Sequence, residues 1–127
     1  MIATRLSLGQ ASTRVRIAWP SDLRVAVIGT GHLSLELGGP RQFGPHGPDP
    51  EFDARAVEWI ANGDIDGCLA HVTLDSLHAP GNATHGFMDF MLVMGIAGYS
   101  KADYADHLDL FHTMEAYFTW YPNGADA

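Results

Sequence analysis

The segment from Thr30 to Pro50 limits what this chain can fold into more than any other part of the sequence. Its 21 residues include five glycines and four prolines, a content that precludes a regular helix or strand. Directly before it, residues 23–29 (LRVAVIG) are a short β-branched run bounded by Pro20, which is typical of a strand covered on both faces. The sequence therefore predicts a buried strand followed by a long loop, where open α/β sheets bind their ligands.

Start and stop signals predict a helix after this loop. Asp49 is the expected N-cap, Pro50 occupies the first helical position and Glu51 places an acid in the first turn. The helix should cover residues 52–61 and end at Asn62-Gly63. Its apolar face is formed by Phe52, Ala56, Trp59 and Ile60.

Three further helices should follow. Asp64 and Thr73 are predicted to cap two short ones, which end near His71 and Ala79. A third, capped by Thr84, should lie centrally, because apolar residues occupy one stripe at helical spacing and most of the other face. The stripe consists of Phe87, Phe90, Met91 and Met94.

The remaining pattern points to a small sheet. Residues 108–120 alternate in part between apolar and polar side chains, which favours one or two strands, and a helical turn at residues 113–118 is the alternative. Helices that alternate with a buried strand predict an α/β fold with a partial, mostly parallel sheet flanked by helices. Residues 1–127 should form this single, incomplete domain. Residues 1–20 are a weakly patterned N-terminal segment, with a helix expected to end before Trp19-Pro20.

The acidic balance of the chain excludes some classes of partner. Fifteen acidic and seven basic residues give a formal net charge of −8, which repels nucleic acid and anionic lipid. No window approaches the roughly 18 apolar residues of a membrane span, and the N-terminus lacks the apolar core of a secretory signal. We therefore expect a cytoplasmic protein that binds neither nucleic acid nor membranes.

The sequence has seven histidines but only one cysteine as potential nitrogen or sulfur ligands for a metal. The only cysteine is Cys68, which excludes an intrachain disulfide and a cysteine-cluster metal site. A composition of this kind favours oxygen and nitrogen ligands over thiolates. The seven histidines are His32, His46, His71, His78, His85, His107 and His112.

The loop that follows the predicted strand holds the first candidate site. Its glycines allow backbone amides to approach a ligand, and Thr30, Gly31 and Ser34 are the candidate substrate-binding residues. His32 is the candidate catalytic residue, since an imidazole can accept a proton from a phenolic substrate. A histidine that only hydrogen-bonds the loop is the alternative. The glycine spacing matches neither a dinucleotide site nor a phosphate loop.

His85 and Asp89 form the candidate metal-binding pair. On one α-helix, residues i and i+4 share a face within reach of one ion. In the alternative, His85 helps to cap the helix and Asp89 meets a buried arginine or a partner chain. His112 and Glu115 are a weaker pair. An aromatic cluster is a candidate wall for an aromatic substrate, or else core or subunit interface. It comprises Phe111, Tyr117, Phe118, Trp120 and Tyr121.

Three motifs together resemble a known family. Residues 22–41 (DLRVAVIGTGHLSLELGGPR), residues 49–53 (DPEFD) and Gly81-Asn82 are similar in order and spacing to the C-terminal half of the class III extradiol dioxygenases, the family of the protocatechuate 4,5-dioxygenase catalytic subunit. The similarity spans residues 22–98. It implies a non-haem Fe(II) enzyme that cleaves a catechol-type small molecule with O2 beside its hydroxyls, and that acts as a homo- or hetero-oligomer.

The resemblance also implies which groups this chain lacks. In the family, two histidines and one glutamate hold the iron and leave positions open for catechol and oxygen. The two histidines lie in an N-terminal half with no counterpart here, and the glutamate falls on Gly86. The proton-handling histidine of the family falls on Leu35, and His32 is the residue that would serve instead.

Three hypotheses follow from this comparison of motifs. The first is a dioxygenase chain that is inactive alone because the metal-binding half is absent. The second is a noncatalytic scaffold subunit of a hetero-oligomeric dioxygenase, and the third is a small binding module for an anionic or phenolic ligand in the loop of residues 30–50. The first requires that residues 29–34, which we call the glycine loop, meet the start of the Phe87 helix to form half of a pocket.

Overall fold

The computed structural model describes residues 25–121 of the chain. The helix predicted before Trp19-Pro20 lies outside the described residues. No helix in the described part is long and apolar enough to cross a membrane. The elements, in chain order, are α1 (Pro50–Asn62), α2 (Ile65–His71), α3 (Leu74–His78), a 3₁₀ helix (Thr84–Phe87), α4 (Met88–Ile96), β1 (Tyr104–Asp109) and β2 (Met114–Thr119).

Helix α1 begins and ends as its sequence signals predict. The Asp49 carboxylate accepts a hydrogen bond from the amide of Phe52 at 2.9 Å, and Pro50 opens the first turn. Gly63 ends the helix in the left-handed region at a φ of 66°, and its amide donates to the carbonyl of Ile60. The caps at Asp64 and Thr73 are confirmed in the same way for α2 and α3. Local capping chemistry therefore determines where these three helices begin.

The core forms where α1 packs against the start of α4. Phe52 and Phe87 meet edge to face, with ring centroids 5.6 Å apart, a favourable geometry for two aromatic rings. Cys68 is fully buried in this cluster and acts there as a small apolar side chain. The buried members are Leu33, Phe52, Ala56, Ile60, Cys68, Leu77, Phe87, Met94 and Ala116.

The prediction of a buried strand at residues 23–29 is wrong for its described part. Residues 25–29 contain no strand, and Ile28 is 84% exposed. A strand buried on both faces needs neighbouring strands and covering helices, and in the described residues no strand pairs with this segment. The hydrophobic run identifies an apolar segment correctly. Whether such a run forms a strand depends on other strands that pair with it, and the run itself does not specify them.

The sheet in the described residues is a two-stranded antiparallel hairpin. Strand β1 pairs with β2 in a register that joins Tyr104 to Thr119 and Asp109 to Met114. The mixed α/β class is confirmed, whereas the mostly parallel arrangement and the helical alternative for residues 113–118 are wrong. A short turn between two alternating runs is sufficient for an antiparallel pair, while a parallel pair needs a long crossover.

The helix predicted from Thr84 differs at its start. Residues 84–87 form the 3₁₀ helix, and the hydroxyl of Thr84 accepts a hydrogen bond from the amide of Leu35 at 3.1 Å instead of capping its own helix. The helix is also less central than predicted, because Met88 and Leu92 are exposed. The Thr84 hydroxyl therefore bonds to a residue that is distant in sequence and does not cap its own helix.

A polar clamp ties the glycine-rich loop to the segment before the 3₁₀ helix. The side-chain amide of Asn82 accepts from the amide of Leu37 at 2.9 Å and donates to its carbonyl at 2.8 Å. Arg41 pairs with Glu36 at 2.7 Å and donates to the carbonyl of Ala79 at 3.0 Å. We call Asn82, Glu36 and Arg41 the loop clamp. It fixes the loop relative to α3 and the 3₁₀ helix.

Asn82→Ala should lower the free energy of unfolding by about 1 kcal/mol, because two hydrogen bonds to the Leu37 backbone are lost at a site that water can reach. Urea denaturation measures the change. Asn62→Ala is the control, since Asn62 makes one side-chain hydrogen bond, to the carbonyl of Glu58, and alanine favours the helix. Equal losses in the two variants would contradict a clamping role for Asn82.

Candidate functional site

The glycine loop runs along the start of α4, as the sequence predicts. A Cβ atom at Gly31 would lie 2.8 Å from the Phe90 ring and 2.9 Å from the carbonyl oxygen of Gly86. A Cβ atom at Gly29 would lie 2.4 Å from the Val93 side chain. Only glycine permits approaches this close. The predicted meeting of the loop with the start of the Phe87 helix is therefore confirmed.

The imidazole of His32 lies against Gly86. A Cβ atom at position 86 would be 2.9 Å from Cδ2 of His32, so the ring occupies the space that a side chain there would enter. His32 is exposed to solvent, as is the neighbouring His85. His32 thus lies against the residue that follows His85 in the chain, while the His85 side chain lies beside α3.

Ser34 has a different environment from the other loop residues. It is fully buried; its amide donates to Oδ1 of Asp53 at 2.6 Å and its hydroxyl donates to Oδ2 at 2.7 Å. The hydroxyl also accepts from the amide of Asp49, and the Ser34 carbonyl accepts from the hydroxyl of Thr113. Thr30 is exposed and Gly31 is half-buried. Of the three candidate substrate-binding residues, only Thr30 and Gly31 are open to a ligand.

Asp53 is the residue at this site that sequence reasoning missed. Burial raises the pKa of its carboxyl from 3.8 to about 6; the hydrogen bonds from Ser34 oppose this rise, and the charges of Asp49 and Asp109 add to it. The signal was present in the sequence, because position 53 lies three residues before the apolar position 56 on the same helix face. An acid on the buried face of an amphipathic helix indicates a specific polar partner.

The candidate metal pair His85 and Asp89 does not lie on one regular α-helix. His85 belongs to the 3₁₀ helix and Asp89 to α4. The change from 3₁₀ to α-helical geometry between the two residues removes the regular i, i+4 spacing on which the prediction depends. His85 instead lines a cavity of about 340 Å³ with Leu74, Asp75, Leu77 and His78. Asp89 is not among its lining residues.

The described residues do not form a complete metal site. In residues 25–121, no group of three or more His, Cys, Asp or Glu side chains is placed to hold a metal ion. His112 lies exposed in the turn of the hairpin, and the carboxylate of Glu115 accepts a hydrogen bond from the hydroxyl of Tyr117. The weaker candidate pair therefore has no third ligand in the described part of the chain.

The predicted aromatic cluster divides between two surfaces. Phe118 packs on Phe90 with centroids 5.5 Å apart and on Trp120 at 6.1 Å. Phe111 meets Phe43 in a tilted arrangement at 6.1 Å, and both of these rings are exposed. Phe118 and Trp120 line a groove of about 1040 Å³ between residues 25–29, α4 and β2. We call this the apolar groove. The predicted cluster is therefore divided: Phe118 and Trp120 line the groove, whereas Phe111 lies with Phe43 on another surface.

Comparison with known proteins gives one match. The family model described as the catalytic LigB subunit of aromatic ring-opening dioxygenase matches residues 3–120. No curated protein and no solved structure matches the chain.

Asp53 should make the stability of the protein depend on pH. Its raised pKa means that the folded state binds more protons than the unfolded state between pH 3.8 and about 6. The contribution of Asp53 to the free energy of unfolding should therefore fall, by up to about 3 kcal/mol, as the pH rises from 4 to 7. Urea denaturation of the wild type and Asp53→Asn across this range measures the difference.

Asp66→Asn is the control for this experiment, because Asp66 is exposed in the first turn of α2. It should keep the pH dependence of the wild type. If Asp53→Asn kept that dependence as well, the buried carboxyl would not be its source.

Gly86→Ala should displace the imidazole of His32, because the added methyl group would lie 2.9 Å from its ring. The ring can rotate away, so the free energy of unfolding should change by less than about 1 kcal/mol. The NMR signals of the His32 imidazole should shift clearly. In the control Gly95→Ala, the methyl group would lie 3.5 Å from the Tyr99 ring, an ordinary contact. Unchanged His32 signals in Gly86→Ala would contradict the described packing.

Proposed function

Since the chain belongs to the family of the catalytic LigB subunit of aromatic ring-opening dioxygenases, of the class III extradiol type, we propose that it supplies one half of a non-haem Fe(II) active site. The substrate is a catechol-type small molecule, whose ring is cleaved by O2 beside its hydroxyls. The other half of the site, with most of the iron ligands, lies outside residues 1–127, and the chain acts in a homo- or hetero-oligomer.

The observation that carries this proposal is the contact between the glycine loop and the start of the 3₁₀ helix. His32 lies against Gly86, next to His85. The loop clamp and the buried bonds of Ser34 to Asp53 hold this arrangement in place. An exposed imidazole beside a glycine-lined backbone is suited to binding a small polar ligand and to transferring a proton.

The residues of this chain do not fit a complete iron site. The described part has no convergent group of three donor side chains, and the rest of the sequence adds no His, Cys or Glu and only two acids, Asp22 and Asp126. A facial site of two histidines and one carboxylate needs three donors on one metal. We therefore assign His85 as the ligand that this chain offers, with Asp89 as a weaker candidate.

His32 has the role of proton acceptor in this proposal. The neutral imidazole takes a proton from one hydroxyl of the bound catechol, which leaves the oxygen negatively charged and the ring more electron-rich. The Thr30 hydroxyl and the amide of Gly31 are the groups available to bind the substrate oxygens, because both lie in the open part of the loop. Ser34 is buried and supports the loop from within.

A noncatalytic scaffold subunit is the second candidate function. It is favoured by the same lack of three convergent donors in the described residues. In that case the fold is retained for assembly with a catalytic partner, and the exposed imidazoles serve no chemical step. The two candidates differ in one respect that can be measured, which is whether His32 affects turnover of the assembled enzyme.

The purified chain should bind well under one Fe(II) per molecule after anaerobic loading and desalting, because it offers too few ligands for a closed site. Iron analysis by atomic absorption measures the ratio. Near-stoichiometric iron, together with catechol turnover by the chain alone, would contradict the shared site.

The assembled enzyme separates the two candidate functions. A partner polypeptide that co-purifies with the chain should restore ring cleavage, and His32→Ala should then lower kcat by about 100-fold or more, as expected when a general base is lost. His107→Ala, on the exposed strand β1, is the control and should leave kcat unchanged. If kcat were unchanged in His32→Ala as well, with the assembly intact, the scaffold function would hold.

A further inference from the structure

The apolar groove lies between two stretches of backbone that lack a neighbouring strand in the described part of the chain. On one side, residues 25–29 make no backbone-to-backbone hydrogen bond within residues 25–121. On the other side, β2 is paired along one edge, with β1. Helix α4 lines the groove between them with Phe90, Val93 and Ile96. Unpaired backbone edges of this kind are templates for a further strand.

The side chains on both sides show which face of such a strand would be covered. A Cβ atom at Gly29 would meet a side chain of α4, so in an extended backbone Val25 and Val27 lie on the same side. They are 40% and 43% exposed, whereas Ile28, on the opposite side, is 84% exposed. Phe118 of β2 also packs on α4. A strand in the groove therefore needs apolar side chains at every second position.

Residues 13–19 of this chain have that pattern. The alternate apolar residues are Val15, Ile17 and Trp19, and the residues between them are Arg14, Arg16 and Ala18. Alternation of β-branched or aromatic residues with polar ones is typical of a strand that is covered on one face. The pattern favours a strand over the helix expected before Trp19-Pro20, and an extended residue before proline suits a strand that ends there.

The place of this segment in the chain brings it to the groove. Five residues separate Trp19 from Val25, which is the first described residue and lines the groove. Pro20, Ser21 and Asp22 are residue types that favour turns. A three-residue connection lies within the usual range for two antiparallel strands. Residues 13–19 can therefore fold back along residues 25–29.

Charge gives a second reason for this occupant. Residues 1–24 contain four of the seven basic residues of the chain and one of its fifteen acids, so this segment is attracted to the acidic remainder. On β2, Glu115 is exposed and its neighbour Ala116 is buried, which places the carboxylate on the face away from α4. Arg14 and Arg16 would lie on the same outer face, where opposite charges on adjacent strands are favourable.

We propose that residues 13–19 of the same chain occupy the apolar groove as a β-strand, antiparallel to residues 25–29 and paired on its other side with β2. The alternate apolar side chains cover α4, and the two arginines face solvent beside Glu115. Ile28 stays exposed, so residues 25–29 still differ from the strand buried on both faces that their composition predicts. The proposal does not depend on the dioxygenase function, because it concerns only how the chain packs on itself.

Hydrogen exchange of the full chain, followed by NMR, tests the proposal. Alternate backbone amides of residues 25–29 should exchange at least about 100-fold more slowly than in an unfolded peptide, because every second one donates to the added strand. Nuclear Overhauser effects should join backbone protons of residues 13–19 to those of β2. Unprotected amides throughout residues 25–29, or helical Cα chemical shifts in residues 13–19, would overturn the proposal.

Ile17→Lys and Ala18→Lys are a matched pair, since they place the same side chain on opposite faces of the proposed strand. Ile17→Lys puts an ammonium group against α4 and should reduce the protection of residues 25–29 by about tenfold or more. Ala18→Lys, on the solvent face, should change it by less than about threefold. The amides of α1 should stay protected in both variants, which shows that the core remains folded. Equal effects of the two substitutions would refute the assigned face and the strand with it.

Mixed isotope labelling distinguishes the occupants of the groove. In a mixture of labelled and unlabelled chains, the contacts between residues 13–19 and β2 should arise within one chain. Contacts between two chains would assign the groove to a second copy. Protection of residues 25–29 that arises only after a separate polypeptide is added would assign it to that polypeptide. Either of these two results would rule out the proposed occupant.

Discussion

The buried carboxylate of Asp53 is the interaction on which the arrangement of the site depends. It accepts two hydrogen bonds from Ser34, at 2.6 and 2.7 Å, inside the core. Through Ser34 it joins α1, the glycine loop and the hairpin, since Thr113 donates to the carbonyl of the same residue. A buried carboxylate without partners is costly, so the loop is held where those partners are available. This bond fixes the backbone at Ser34, two residues after His32.

The parts of the fold that could be predicted from the sequence are those governed by nearby residues. Asp49, Asp64 and Thr73 cap their helices because each satisfies an amide two or three positions away. Thr84 has the same local signal, but its hydroxyl bonds to Leu35, 49 residues away. The segment of residues 25–29 has the composition of a strand and has no pairing strand in the described part of the chain. Both errors arise from partners that are distant in sequence.

The candidate site was predictable to a similar extent. The meeting of the loop with the start of the Phe87 helix was predicted, but the glycines at positions 29 and 31 were expected to approach a ligand and instead approach Val93 and Phe90. The buried role of Ser34 was missed, because it depends on Asp53, whose place on the buried face of α1 was overlooked. The proximity of His78 to His85 was also not predicted, because the two residues belong to different helices. Only the folded connection through Asn82 brings α3 beside His85.

One steric constraint links the composition of the site to its chemistry. The His32 ring and a side chain at position 86 cannot occupy the same space, because a Cβ atom there would already be 2.9 Å from the ring. With His32 in this place, only glycine fits at position 86 without displacing the ring. His85 faces the cavity beside α3. The two histidines therefore have different neighbours, since His32 lies against Gly86 and His85 lies beside the side chains of α3.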